Sequence, residues 1–173
     1  APMPSTSISG VTSYWVSQVS PVQGCESGRV RIEVNVQPIP ATPQVLDITY
    51  CQGDTALPLI ATANPGHTLN WHLTSIGGIT QASPFVPNTL TPGSFVFWVS
   101  QTNDSTGCIS SRVPLTVTVN PKPNVPIPNN VTYCQGDAAS LLTAQALPGH
   151  TIIWYTSLTD TLGITTQPVP LTT

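Results

Sequence analysis

The chain has 173 residues, of which only 6% are charged, with a formal net charge of −3 from seven acidic and four basic side chains. Four scattered Lys and Arg cannot track a phosphate backbone, so nucleic acid and anionic membrane surfaces are not expected partners. No apolar run approaches the roughly 20 residues of a membrane span, and no charged stretch followed by an apolar one opens the chain, so the reading is a soluble protein without membrane insertion and without an export signal of its own.

In chain order, the first signals are of period two. Residues 11–18 carry Tyr14 and Val16 on one face, and Val30, Ile32, Val34 and Val36 alternate with Arg31, Glu33 and Asn35. That alternation predicts two half-buried strands, joined by a turn-rich loop over 21–28 that contains Cys25. Residues 38–43 form a stiff, proline-rich linker. From 44 to 120 every apolar segment is short and bounded by Gly, Pro or Asn, which predicts strands at 45–51 and 57–63 and a turn at Asn64-Pro65-Gly66. A strand over 68–73 follows, with Leu69, Trp71 and Leu73 on one face. Gly77-Gly78 turns the chain, and Pro84 and Pro87 break 79–90 into edge strands. Strands at 94–101 and 112–120 close the unit, the last alternating Val113, Leu115, Val117 and Val119 with polar residues. Residues 121–128 are a second linker. With no helical periodicity of useful length, six or seven strands in this unit predict an all-β fold, a small antiparallel β-sandwich.

Superimposed on these elements is a repeat. Tyr50-Cys51-Gln52-Gly53-Asp54 returns unchanged as Tyr133-Cys134-Gln135-Gly136-Asp137, an interval of 83 residues. The same interval carries Pro65-Gly66-His67-Thr68 onto Pro148-Gly149-His150-Thr151, Trp71 onto Trp154, and Trp15-Val16-Ser17-Gln18 onto Trp98-Val99-Ser100-Gln101. The expected organisation is therefore the C-terminal half of one repeat (1–37), a linker (38–43), a complete repeat (44–120), a linker (121–128) and the N-terminal half of the next (129–173).

All four cysteines fall into two classes of this repeat, Cys25 with Cys108 and Cys51 with Cys134. With no Cys-x-x-Cys and no metal-ligand spacing, they read as disulfide partners in an oxidising, extracytoplasmic setting. In a sandwich of this kind the loop before the last strand lies at the pole where the chain enters. Placing Cys51 near that entry predicts a Cys51–Cys108 disulfide, worth about 2–4 kcal/mol through restriction of the unfolded chain. Cys25 and Cys134 would then pair outside the segment or with a neighbouring chain.

The order Tyr-Cys-Gln-Gly-Asp, Pro-Gly-His-Thr before a Trp strand, Trp-Val-Ser-Gln, Gly107-Cys108-Ile109-Ser110-Ser111-Arg112-Val113 and a Val/Thr strand ending in a proline linker resembles the immunoglobulin-like repeats of very large Bacteroidetes cell-surface proteins. Gliding adhesins exported by the type IX secretion system are among them. The resemblance covers essentially the whole chain and implies tandem Ig-like β-sandwich repeats forming an extracellular stalk or filament segment of an adhesin. Its partners would be neighbouring repeats of the same chain, or adjacent copies in a fibre. Asp54-Thr55-Ala56, Asp104-Ser105-Thr106 and Asp160-Thr161-Leu162 look like Bacteroidetes O-glycosylation sites, making Thr55, Ser105 and Thr161 candidate acceptors.

Chemistry finds little foothold in the remaining residues. His67 and His150 occupy the same turn position, His72 is replaced by Tyr155 one repeat on, and no Ser, His and acid spacing recurs, so neither catalysis nor a cofactor is expected. So few carboxylates argue against a calcium site; Asp54 and Asp137 are read as turn residues bonding nearby amides. Trp71 and Trp154 belong to a core face. Trp15 and Trp98 point the other way, either to cover a seam or, on the alternative reading of a carbohydrate-binding or adhesive module, to present an indole to surface glycans.

Overall fold

A computed structural model describes residues 2–172 as strands, turns and loops, with no helix among them. The chain divides after Pro121. Strands β1 (Gly10–Val16) and β2 (Val30–Val36) form an antiparallel hairpin paired from Gly10 opposite Val36 to Val16 opposite Val30.

After the proline linker come β3 (Gln44–Val45), β4 (Ile48–Cys51), β5 (Ala61–Thr62), β6 (His67–His72), β7 (Gly93–Asn103) and β8 (Val113–Asn120). Four of them make a sheet in the order β4-β8-β7-β6, while β3 pairs with β5 in a second layer. The backbone of Phe85 joins that layer by accepting a hydrogen bond from Leu59 N–H at 2.9 Å. Alternation along β8 sends Leu115, Val117 and Val119 inward, where they meet Val99 of β7, Trp71 of β6 and Leu59 of the opposite layer, all at most 2% exposed. Each such side chain contributes roughly 1.5–3 kcal/mol on burial. Val45, Ile48, Tyr50, Ala61, Leu69, Phe85 and Phe97 pack around them.

The all-β sandwich is as expected, with differences in detail. The predicted strand over 45–51 is two strands in different sheets. At the break Asp47 turns its carboxylate to the Thr116 N–H, 2.8 Å away, and the chain crosses from one layer to the other. β4 then runs parallel to β8, with Ile48 opposite Val117 and Cys51 opposite Asn120, so the large sheet is mixed rather than wholly antiparallel. Strand 57–63 pairs with β3 only at Ala61 and Thr62; Pro58 has no N–H to give, and the N–H groups of Leu57 and Leu59 go instead to Tyr50 Oη and the Phe85 carbonyl. β6 ends at His72, which leaves Leu73 62% exposed instead of in the core. The 79–90 segment, broken by its prolines, makes an isolated bridge from Gln81 to Trp71 and the Phe85 bond.

Beyond Pro121, β9 (Ile127–Pro128) pairs with β10 (Ala144–Gln145), the counterparts of β3 and β5 by the 83-residue interval. The hydrogen bonds recur with them. Cys134 N–H donates to Asp137 Oδ2 as Cys51 N–H does to Asp54 Oδ2, both at 2.8 Å. Gly136 N–H reaches the Thr172 carbonyl as Gly53 N–H reaches that of Thr89, and Leu142 N–H reaches Pro168 as Leu59 reaches Phe85.

Candidate functional site

The outer face of the four-stranded sheet carries a ladder of polar side chains across β6 and β7. Thr68 Oγ1 donates to Asp104 Oδ1 (2.7 Å), Asn70 Nδ2 donates to Thr102 Oγ1 (2.7 Å), and His72 Nε2 lies 2.9 Å from Ser100 Oγ. The register of the pair produces this ladder, since Asn70 stands opposite Ser100 and His72 opposite Trp98. His72 is 3% exposed and Ser100 1%. The imidazole's other nitrogen faces Thr80 Oγ1 at 3.2 Å, a hydroxyl where a catalytic triad would have a carboxylate. Burial, and then the positive charge of Arg112, hold the His72 pKa below its usual value. Arg112 in turn donates to the carbonyls of Thr74 and Gly77 at 2.6 and 2.8 Å, pinning the loop that carries Thr80.

This ladder gives the recurring Trp-Val-Ser-Gln its meaning. Val99 is core and Ser100 holds His72. Gln101, fully buried, accepts from Asn64 N–H at 2.8 Å and donates to the Ala41 carbonyl at 2.7 Å. One side chain thus fastens the incoming linker to the turn before β6. The strict recurrence of a Gln on an apolar strand was the available signal for this role, which reading the chain for periodicity alone passes over.

Residues 40–121 match the family model described as Ig-like domain CHU_C associated. This segment is an Ig-like domain of that family. No curated protein matches the chain. In the Ig-like domain, His67 serves its turn, with Nδ1 2.9 Å from the Pro65 carbonyl; beyond the matched residues, His150 Nδ1 lies 3.0 Å from the Pro148 carbonyl. Asp54 and Asp137 bond the backbone amides of the preceding cysteines, as turn residues should. Trp71 is in the core. Trp98 is half-buried and Trp15 is 62% exposed. Thr55, Ser105 and Thr161 are all exposed, and Ser105 Oγ bonds Asn103 Oδ1 at 2.8 Å. Among the described residues no group of three or more His, Cys, Asp or Glu could hold a metal ion.

The structure does not bring Cys51 and Cys108, the expected disulfide partners, together in the Ig-like domain. All four cysteines are unbonded; Cys108 is half-buried and the others are exposed. Cys51 is the last residue of β4, level with Asn120 where β8 leaves the sheet. Cys108 lies at the other end, its carbonyl accepting from Asn103 N–H at the tip of β7. The whole length of β7, Gly93–Asn103, separates the two levels, about 30 Å at strand rise, against the roughly 6 Å between α-carbons in a disulfide. The chain enters near Ala41 and has crossed the sandwich by residue 51, so Cys51 stands at the exit pole rather than at the entry.

Proposed function

We propose that this chain is a stalk or filament segment of a bacterial cell-surface adhesin, built of tandem Ig-like repeats whose role is mechanical rather than catalytic. The observation that carries the reading is the recurrence, 83 residues apart, of the same strand pair and the same turn and inter-segment hydrogen bonds. A site selected for chemistry need occur only once, whereas a fold element copied with its bonds serves an array. Proline-rich connectors limit bending between units, and Gln101 grips the connector from inside the domain. An extracellular setting agrees with a surface of hydroxyls and few charges, and with the family of residues 40–121. Among the described residues no helix is long and apolar enough to cross a membrane. The half-burial of Trp98 favours a packing role over glycan binding at that position.

Single-molecule pulling of the chain extended in register tests the reading. A stalk gives evenly spaced unfolding peaks, one per repeat, and antibodies to residues 44–120 label intact cells of the source organism. Unfolding without a regular spacing, or labelling only after cell lysis, overturns it.

A further inference from the structure

The two cysteine classes sit at opposite poles of the Ig-like domain, and the linker at 38–43 is only a few residues long. Cys51 lies beside the strand that leaves the domain: it is opposite Asn120, and the next residue, Gln52, donates its N–H to the Asn120 carbonyl at 2.8 Å. Cys108 lies beside the chain that arrives. Ser110 N–H bonds the Gln101 carbonyl and Asn103 N–H bonds the Cys108 carbonyl, while the Gln101 side chain holds Ala41. By the 83-residue interval Gln37 is the counterpart of Asn120, so in a tandem array the Cys51-class residue of a preceding repeat would stand beside Gln37. Gln37 and Ala41 are four residues apart in the chain, at most about 14 Å even when fully extended. In such an array the two classes would be tethered closely across the 38–43 linker, whereas within the Ig-like domain they are kept about 30 Å apart.

From this we infer that the cysteines are staples between repeats: the cysteine ending the first long-sheet strand of one repeat bonds the cysteine in the β7–β8 loop of the next. The inference rests on the tandem-array reading. Pro38, Pro40 and Pro43 narrow the range of linker shapes, which lowers the entropy cost of bringing the two sulfurs together. Both classes are solvent-accessible to an oxidant. The step joins two thiols as one disulfide; their two protons and two electrons pass to a disulfide oxidant such as oxidised glutathione, which leaves as two thiols. Such a staple bridges the linker, so it locks the angle between units and passes tension from domain to domain around the proline segment.

The test joins a second copy, residues 8–173, directly after Thr173. This keeps the repeat in register and gives Cys51 and Cys134 partners of the right class in the second copy. After oxidation in glutathione buffer, peptide mapping without reductant should show Cys51 joined to Cys25 of the second copy, and Cys134 joined to its Cys108. Cys51→Ser should free only the first of these partners to maleimide while leaving the melting transition cooperative. A Cys51–Cys108 bond within one copy, or thiols that all remain titratable in a chain that melts cooperatively, overturns the staple and leaves the array standing. A joined chain that fails to fold overturns both.

Discussion

His72 shows how a residue with catalytic chemistry is turned to packing. Its ring is closed in by Ser100 on one side and Thr80 on the other, both hydroxyls that can give or take a hydrogen bond, so either neutral tautomer is satisfied. The Arg112 guanidinium nearby disfavours the imidazolium. Because the folded-state pKa is lowered, the unfolded chain takes up a proton first as pH falls below about 6.5. Stability is therefore complete above that pH and is lost as pH falls through the window between the unfolded and folded values. A melting curve measured from pH 8 to pH 5 should show this loss, and His72→Gln should remove that part of the slope. An identical pH slope in the two proteins would show that His72 is not buried neutral.

At the scale of elements, the short strands are held as much by side chains reaching backbone as by ladders. β3 and β5 pair over only two residues each, too few to fix a layer unaided. Asp47 on the Thr116 amide, Tyr50 Oη on the Leu57 amide (3.3 Å) and Gln101 on Asn64 and Ala41 supply the remaining attachments. Gln101→Leu keeps the volume but leaves the Asn64 N–H without its partner and releases the linker. The expected cost is about 2 kcal/mol, read as a lower denaturant midpoint at unchanged slope. Cleavage by protease within 38–43 should also become faster. A midpoint equal to that of the parent would mean that water takes over both bonds.

For the whole molecule, the same repeat positions have different surroundings in different segments. Val99 and Leu115 are fully buried, whereas their counterparts Val16 and Ile32 in the β1–β2 hairpin are 51% and 49% exposed. Leu59 and Trp71 are buried, while Leu142 and Trp154 are only half so. Among the described residues the buried hydrophobic core is thus concentrated in 44–120, where β3 and β5 face the four-stranded sheet. Limited proteolysis with thermolysin, which cuts beside apolar residues, should leave a resistant fragment bounded by the linkers at 38–43 and 121–128. Uniform degradation, or protection of the flanking segments at the same rate, would contradict that distribution.

Much of this was legible in the amino-acid order. The 83-residue interval, the all-β class and the core alternation of β8 depend on local pattern, because a pleated strand alternates faces whatever it packs against. The turn roles of Asp54 and His67 follow from bonds two or three residues long. What only the tertiary structure decided are the relations between elements distant in sequence. The split of 45–51 between two sheets and the parallel pairing of β4 with β8 place Cys51 at the exit pole. Neither is encoded in the period of the apolar residues, which is the same for parallel and antiparallel neighbours. The buried tasks of Gln101 and His72 were hidden for a related reason: a polar side chain on an apolar strand announces that it has a partner, and only the folded chain shows which.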